Sequence, residues 1–486
     1  MWKILGILVT LLAATRCEDI TVECLSPEAL NIKVGGIVAD CSLHGLTRLT
    51  TVIPWLTNIS TVLQSANMSN NKINYFAKLP LLPRLLTLTL SHNKIKDMES
   101  LAVVNLINLL TLDLSYNRIT GETLRADVLK GRYAPDRYEP LPIRVLLLGN
   151  NEIHSLNRRV FEHLNYLKEL RLDHNPLEVI DDNTQMALQS LPELKILDLA
   201  KTGLTHLPSD LFQHFELNSL YLNGNQLTSV PDSLGSLAHS LRLININENP
   251  IKELNEDSFL GLRNLEDIIA SGLSELTAIK ANTFSNLENL KTVSCSYNSK
   301  LTEIDPFAFW DHKGKFFLKE LYLNNNNLKI ISKYLVPWDK LDKITLEENP
   351  WICDCRTGWL ADLVSIRTTT LYRPYDLQCS EPTWLNRTLL IHWKNIKDKN
   401  DTCASDNDEE PGRIKAIEEE IGTHTIRNTL IAILLFTIAI AIILGLTFFK
   451  YRHYKPLRVH SNTTSLAAKE VRYIKSDVAE KSLLVS

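Results

Sequence analysis

Apolar residues fall along most of this chain in one repeated arrangement, L-x-x-L-x-L-x-x-N-x-L, with a period of about 22 to 28 residues. Clear rungs are Leu85, Leu88, Leu90, Asn93 and Ile95; Leu109, Leu112, Leu114, Asn117 and Ile119; and Leu217, Leu220, Leu222, Asn225 and Leu227. The x-L-x-L-x part of each rung alternates apolar and polar positions. It predicts a short strand with its leucines in a core and the intervening residues on the opposite face. The asparagine is expected to turn inward, where its amide satisfies backbone groups that a tight turn leaves unpaired. No rung can bury its own apolar face alone. The pattern therefore predicts parallel strands stacked into one long curved sheet, with covers at both ends.

Twelve rungs follow from the ladder position: Asn71, Asn93, Asn117, Asn151, Asn175, Thr202, Asn225, Asn249, Leu273, Asn298, Asn326 and Asn349. Thr202 can do part of the asparagine's work and Leu273 none, so those two turns should be less regular. Phe161, Phe212, Phe259 and Phe284 recur on the returning side, where a column of aromatics would fill the convex half of the core. A fixed period in this range is the sequence signature of a leucine-rich-repeat solenoid. The expected fold class is α/β: a curved horseshoe with a parallel concave sheet, disulfide-bonded caps and one transmembrane helix.

The ends suggest a compartment. Lys3 followed by the short apolar core Ile4–Ala14 reads as a secretory signal. Cleavage after Ala14 or Thr15 would keep Cys17, and cleavage after Cys17 would remove it. The run Thr429–Phe449 carries no charge and is long enough to span a bilayer. Lys450, Arg452, His453, Lys455 and Arg458 follow it, against Arg427 before it, which places the C-terminus in the cytoplasm. The expected division is a signal peptide over 1–17, an N-terminal cap over 18–58, repeats over 59–350 and a cysteine-rich cap over 351–403. An acidic stalk over 404–428, a membrane helix over 429–449 and a short tail over 450–486 complete it. That tail is too short for a folded signalling domain. The expected location is the plasma membrane, with the N-terminus outside. The net charge of −4 gives no reason to expect nucleic acid as a partner.

Cysteines mark both caps. Cys24 and Cys41 flank an apolar segment before the first rung; a bridge across a loop of that size contributes about 3 kcal/mol. Cys353, Cys355, Cys379 and Cys403 form a C-x-C…C…C set that allows three pairings. Cys295 occupies a ladder position and is expected to be a buried free thiol. With its repeats, caps, signal peptide and membrane segment, the chain resembles the animal extracellular leucine-rich-repeat membrane proteins. Toll receptor ectodomains, Slit, chaoptin and connectin belong to that group. The resemblance covers residues 18 to 403 and is most specific from Asn349-Pro350-Trp351 through Trp359-Leu360 to Cys403. It implies the pairs Cys353–Cys379 and Cys355–Cys403. The N-terminal cap departs from the group, whose members usually carry four cysteines there. Asp40-Cys41-Ser42 leading to Gly45-Leu46-Thr47 does fit, and Cys24–Cys41 is the expected bridge.

The interval from Asn117 to Asn151 is about ten residues longer than its neighbours, and per-repeat insertions become loops on one face, often the binding face. The extra segment Gly121–Pro142 carries Arg125, Arg132, Tyr133, Arg137 and Tyr138. Along the concave face the central row should read Thr89, Asp113, Leu147, Arg171, Asp198, Tyr221, Asn245, Ile269, Ser294, Tyr322 and Thr345. Asp113, Arg171, Asp198, Tyr221, Asn245 and Tyr322 are the candidate ligand-binding residues. Glu320, Asn324, Asn325, Glu347 and Glu348 predict an acidic end that would suit a basic ligand. Glycosylation acceptors occur at Asn58, Asn67, Asn386 and Asn400 on the expected outer side. A glycan on Asn67 would stand on the concave face of the first repeat and push a partner toward the middle or the C-terminal end.

No nucleophile–base set, phosphate loop or metal spacing is present in the sequence, so an enzyme is not expected, nor any cofactor. The expected function is recognition of a protein ligand or cell-surface protein, as a receptor or co-receptor. Homophilic or heterophilic adhesion, with a possible homodimer, and a decoy or pattern-binding role are the alternatives.

Overall fold

The computed structural model describes residues 30–33, 36–49, 56, 60–134, 136–309, 316–366 and 370–400. They belong to the first of two units into which the chain divides, Met1–Ser405 and Asp406–Ser486. The expected signal peptide, stalk, membrane helix and tail lie outside the described residues, as do Cys17, Cys24, Asn58 and Cys403. Among the described residues, no helix is long and apolar enough to cross a membrane.

A sheet of 14 strands forms the inner face of a solenoid of about thirteen turns. It begins with the antiparallel pair Leu30–Lys33 and Gly36–Asp40. From Gly36–Asp40 every further pairing is parallel, through Leu63–Asn67 to Lys343–Thr345. Twelve of these strands are the rungs read from the sequence. The turn beyond them is the cap strand Gly36–Asp40, which continues the parallel ladder. The middle residue of each short strand, from Leu88 to Ile344, is fully buried, while its neighbours face the concave side. Burying one such leucine contributes about 2 kcal/mol.

The ladder asparagines tie each turn to the one before. At Asn249 the side-chain amide nitrogen reaches the carbonyls of Leu222, Ile246 and Asn247 at 2.9, 2.9 and 3.1 Å. Its oxygen accepts from the Leu227 backbone N–H at 3.1 Å. Asn93, Asn117, Asn151 and Asn175 repeat this arrangement. The residue before each ladder position is left-handed. Ten are not glycine, from Asn70 to Glu348, with φ between 52 and 58°. Such a backbone costs about 1–2 kcal/mol per residue, and the asparagine bonds offset it.

The two odd turns differ in the expected way. Thr202 has one hydroxyl proton to share between the Leu199 carbonyl at 2.7 Å and Asn225 Oδ1 at 3.1 Å. Leu273 makes no side-chain bond, and Asn298 serves its backbone N–H at 2.7 Å while reaching back to Ala270 O only at 3.3 Å.

On the returning side Phe259 stacks on Phe284 at 5.9 Å, and Phe284 on Phe309 at 4.5 Å. Phe161 and Phe212 are fully buried. Between them the helix Asp182–Gln189, capped by Asp181 on the Thr184 N–H, presents Ala187 and Leu188 instead of a phenylalanine.

The C-terminal cap closes the sheet through its backbone. The edge residue Ile344 donates to Thr370 O at 2.9 Å and accepts from the Tyr372 N–H at 2.8 Å. Leu371 pairs with Ile344 as one more parallel bridge, which removes an open edge that would invite other strands. Trp351 is fully buried, and its indole donates to Leu346 O at 3.1 Å. Cys353 and Cys379 are bonded to each other. Cys41 and Cys355 are disulfide-bonded as well, and their expected partners lie outside the described residues. Cys295 is a buried free thiol whose ionisation burial pushes up to about 12.

Two outcomes follow from this packing. Asn249→Ala should lower unfolding free energy by about 3 kcal/mol and Thr202→Ala by about 1 kcal/mol in urea titrations, because the first orphans more buried backbone groups. Equal effects would contradict the ladder's role. Cys355→Ser should leave most of the protein inside the producing cell, since it loosens the cover over Ile344, Leu346 and Trp351. Delivery at the normal level would contradict it.

Candidate binding surface on the concave sheet

Strand register places the six candidate residues in one file. Arg171, Asp198, Tyr221 and Asn245 are consecutive partners across four strands. Asp113 stands two strands before Arg171, with Leu147 between them. Tyr322 stands three strands beyond Asn245, after Ile269 and Ser294. With strands near 4.8 Å apart, the whole central row from Thr89 to Thr345 is roughly 50 Å long.

The same register brings in residues that the central row alone does not include. Each residue two positions earlier on a strand faces the same side. Ile196, Ser219, Leu243 and Asp267 are aligned in that earlier row. Half-buried Ile196 and Leu243 thus flank half-buried Tyr221, and Ile269 lies two strands farther along the central row. The middle of the face is an apolar and aromatic patch bordered by Asp198 and Asn245. The alternation of each strand carries this signal in the sequence. Tyr372 is a second addition: the Leu371–Ile344 bridge sets it beside Thr345 as a continuation of the central row, half exposed. The cap breaks the repeat period, so spacing could not reveal it.

Charge is concentrated on the fifth and sixth repeats. Arg171 Nε donates to Glu169 Oε1 at 2.6 Å. Asp198 is only 8% exposed and accepts from the Ala200 N–H at 3.0 Å. Burial pushes its carboxyl above the usual range; Asp173 adds to that, while the Ala200 bond, Arg171 and His174 oppose it. Asp173 sits 3.0 Å from His174 and occupies space that a side chain at Gly149 would fill, since a Cβ there would lie 2.3 Å from its carboxylate. Asp113 accepts from Ser115 through both backbone and hydroxyl, at 3.0 and 2.6 Å.

The acidic C-terminal end expected from the sequence is largely spent within the fold. Glu320 accepts from the Tyr322 hydroxyl at 2.5 Å, and Lys343 sits over the Tyr322 ring at 4.9 Å. Glu347 is 5% exposed, and burial pushes its carboxyl up. Asn324 is held by Ser296, Thr345 and Asn325. Few of these groups are free to meet a basic ligand. His92 and His174 occupy left-handed ladder turns, and His92 stacks on Tyr116 at 4.0 Å.

Asn67 is aligned with Thr89 at the start of the central row, with its amide donating to Asp40 at 3.1 Å. Asn386 is exposed, and the side chain of Asn400 lies outside the described residues. The insertion Gly121–Pro142 is not on this face. It forms a small antiparallel hairpin, Tyr133–Ala134 with Arg137–Tyr138, beside His163. Arg125 is engaged by Asp97, Asp127 and Met98 O.

Asp198 supplies a pH test. Its folded carboxyl titrates above the unfolded one, so its stabilising contribution is present at low pH and is lost as pH rises through the folded value. Asp198→Asn should therefore raise the melting temperature at pH 7, with the gain shrinking below about pH 4. Thermal melts at both pH values check this; a drop at pH 7 would contradict it.

Comparison with known proteins agrees with this architecture. Models described as leucine rich repeat match residues 215–272 and 108–126, and a BspA type leucine rich repeat region model matches 252–354. The chain is 28% identical to Tsukushi of Gallus gallus over 262 residues, which are 49% of this chain and 67% of Tsukushi. It is 30% identical to osteomodulin of Rattus norvegicus over 205 residues, 39% of this chain, and spans 48% of osteomodulin's length. In fold it resembles a chain of the octameric complex of Latrophilin 3, Unc5D and FLRT2, in which FLRT2 contributes leucine-rich repeats. That likeness has a TM-score of 0.52 at 20% identity and covers 75% of this chain and 97% of that one. Register, ladder and likeness agree on a leucine-rich-repeat solenoid with a disulfide in its C-terminal region, similar over about half of its length or less to Tsukushi and osteomodulin.

Proposed function

We propose that the chain is a cell-surface recognition protein, a receptor or co-receptor that binds a protein ligand across the middle of its concave sheet. The observation that carries this reading is the open patch of Tyr221, Ile196, Leu243 and Ile269 beside Asp198 and Arg171. A rigid tyrosine with surrounding aliphatic groups and a bordering arginine is the usual composition of an interface centre. The face is long and open, as protein recognition by a solenoid requires. An anchor at Thr429–Phe449 and an outward N-terminus fit the disulfides, which form and persist in oxidising compartments. Asn67 at the start of the row would carry a glycan there and leave the middle clear. The FLRT2 repeats, whose fold this chain resembles, occur in a complex with Latrophilin 3 and Unc5D.

The test places a photo-crosslinking residue at position 221, or at exposed Tyr166 as control, in the full-length chain on intact cells. One surface protein captured from 221 and not from 166 is the expected result. Ile269→Glu should abolish that capture, and Tyr221→Ala should weaken purified binding about 30-fold, a hot-spot effect near 2 kcal/mol. Capture of only its own copies would replace the receptor reading with homophilic adhesion. Equal capture from both positions would remove the concave face from the account.

A further inference from the structure

We infer that the rim of repeats four and five, where the strands begin, is a second binding site that takes a sulfated polysaccharide. Two features meet there. The first is the hairpin of the Gly121–Pro142 insertion, which carries Lys130, Arg132 and Arg137. The second is the residue just ahead of each strand, Arg144 and Lys168, joined through the Lys168 N–H donating to Arg144 O at 2.8 Å. The hairpin is fixed against the same rim. Leu141 N donates to His163 O at 2.8 Å, and the Tyr138 ring meets the His163 ring edge-on at 5.2 Å.

These cations are not held by carboxylates. Arg125, Arg159, Arg171 and Lys195 are all in ion pairs. Among the described residues, Lys130, Arg132, Arg137, Arg144 and Lys168 make none. Carboxylates of the same repeat are taken: Arg159 and His163 hold Glu162 at 2.6 and 3.1 Å, and Arg171 holds Glu169 at 2.6 Å. Asp136 and Glu139 on the hairpin remain, two negative charges against five positive ones. On a chain of net charge −4 this is a local reversal of sign.

The form of the patch selects the ligand. Arg144 and Lys168, ahead of successive strands, lie about 4.8 Å apart along the rim, and the insertion adds three cations beside them, an extended array that suits a repeating polyanion better than a single phosphate. Lys130 packs over Tyr138 at 4.8 Å, and Tyr133 meets Tyr138 edge-on at 5.1 Å, with Tyr133 69% exposed. Exposed tyrosine rings offer flat apolar surfaces to pyranose C–H groups. Arginine and lysine clusters of this kind attract heparin-like chains through their summed field. Disulfides place the domain in a compartment where such polysaccharides are abundant and nucleic acids are not. The site is separate from the concave row and does not depend on the receptor reading.

The purified full-length chain, held in detergent, is titrated onto immobilised heparin oligosaccharide of defined size at several salt concentrations. Binding should weaken steeply with salt, as counterion release from a polyanion requires. The variant Arg132→Glu, Arg137→Glu, Arg144→Glu should lose roughly 30-fold or more in affinity. A control with the same charge change on the opposite rim, Lys94→Glu, Arg118→Glu, Lys252→Glu, should lose less than about 3-fold, because only contacted charges release counterions. If the reversed variant is poorly folded by thermal melt, Arg132→Gln, Arg137→Gln, Arg144→Gln is read instead, with roughly a 10-fold loss expected. No heparin binding, or equal losses in patch and control variants, would overturn the inference. Binding of polyglutamate as tight as heparin would also overturn it, in favour of an acidic polypeptide partner.

Discussion

Every other feature of this domain depends on a buried side-chain amide, present in ten of the twelve repeat turns. A leucine core alone would hold the turns together, but it would not fix how each sits on the next. The ladder asparagine does that, donating to carbonyls of its own turn and the previous one while accepting a backbone N–H from the previous turn. These bonds hold the left-handed residue beside each asparagine, and they keep the same strand register from the first repeat to the last. Register converts a periodic sequence into straight rows of side chains on the concave face.

That constraint explains where variation is tolerated. Concave positions contribute little to the core, so they carry groups a packed interior would exclude. Asp198 is the clearest case, a buried carboxylate whose charging opposes folding. Asp198 stands beside the apolar patch around Tyr221. The strand-start rim varies in another way. It accepted an inserted hairpin without disturbing the ladder, because Asn117 and Asn151 still bridge their neighbours across it. One scaffold therefore presents two chemically different surfaces, a central apolar face and a basic rim.

The sequence made the ladder legible because its period is long-range and redundant. Thr202 and Leu273 stood out as weak turns on chemistry alone, and their bonds differ accordingly. The central row was equally readable, since alternation in a strand assigns faces without reference to the rest of the chain. What stayed hidden lacks a period. Gly36–Asp40 joins the parallel sheet outside the repeat motif. Tyr372 reaches the concave row only through a backbone bridge in the cap. Phe309 does keep the 25-residue interval of Phe259 and Phe284 and completes their stack, whereas the helix at Asp182–Gln189 leaves a turn without a phenylalanine. The apparent acidity of the C-terminal end was misleading for a different reason. Composition counts Glu320 and Glu347 as free charges, while the fold commits one to Tyr322 and buries the other.

The central claim is that a protein partner sits on the middle of the concave sheet and leaves the basic rim uncovered. Hydroxyl-radical footprinting of the full-length chain, with and without the partner captured at position 221, tests this most directly. Strong protection of Tyr221, Ile269 and Leu243 is expected, with Tyr133 and Tyr138 oxidised as before. Protection of Tyr133 and Tyr138 with Tyr221 unchanged would contradict it and would make the inserted hairpin the protein-binding element.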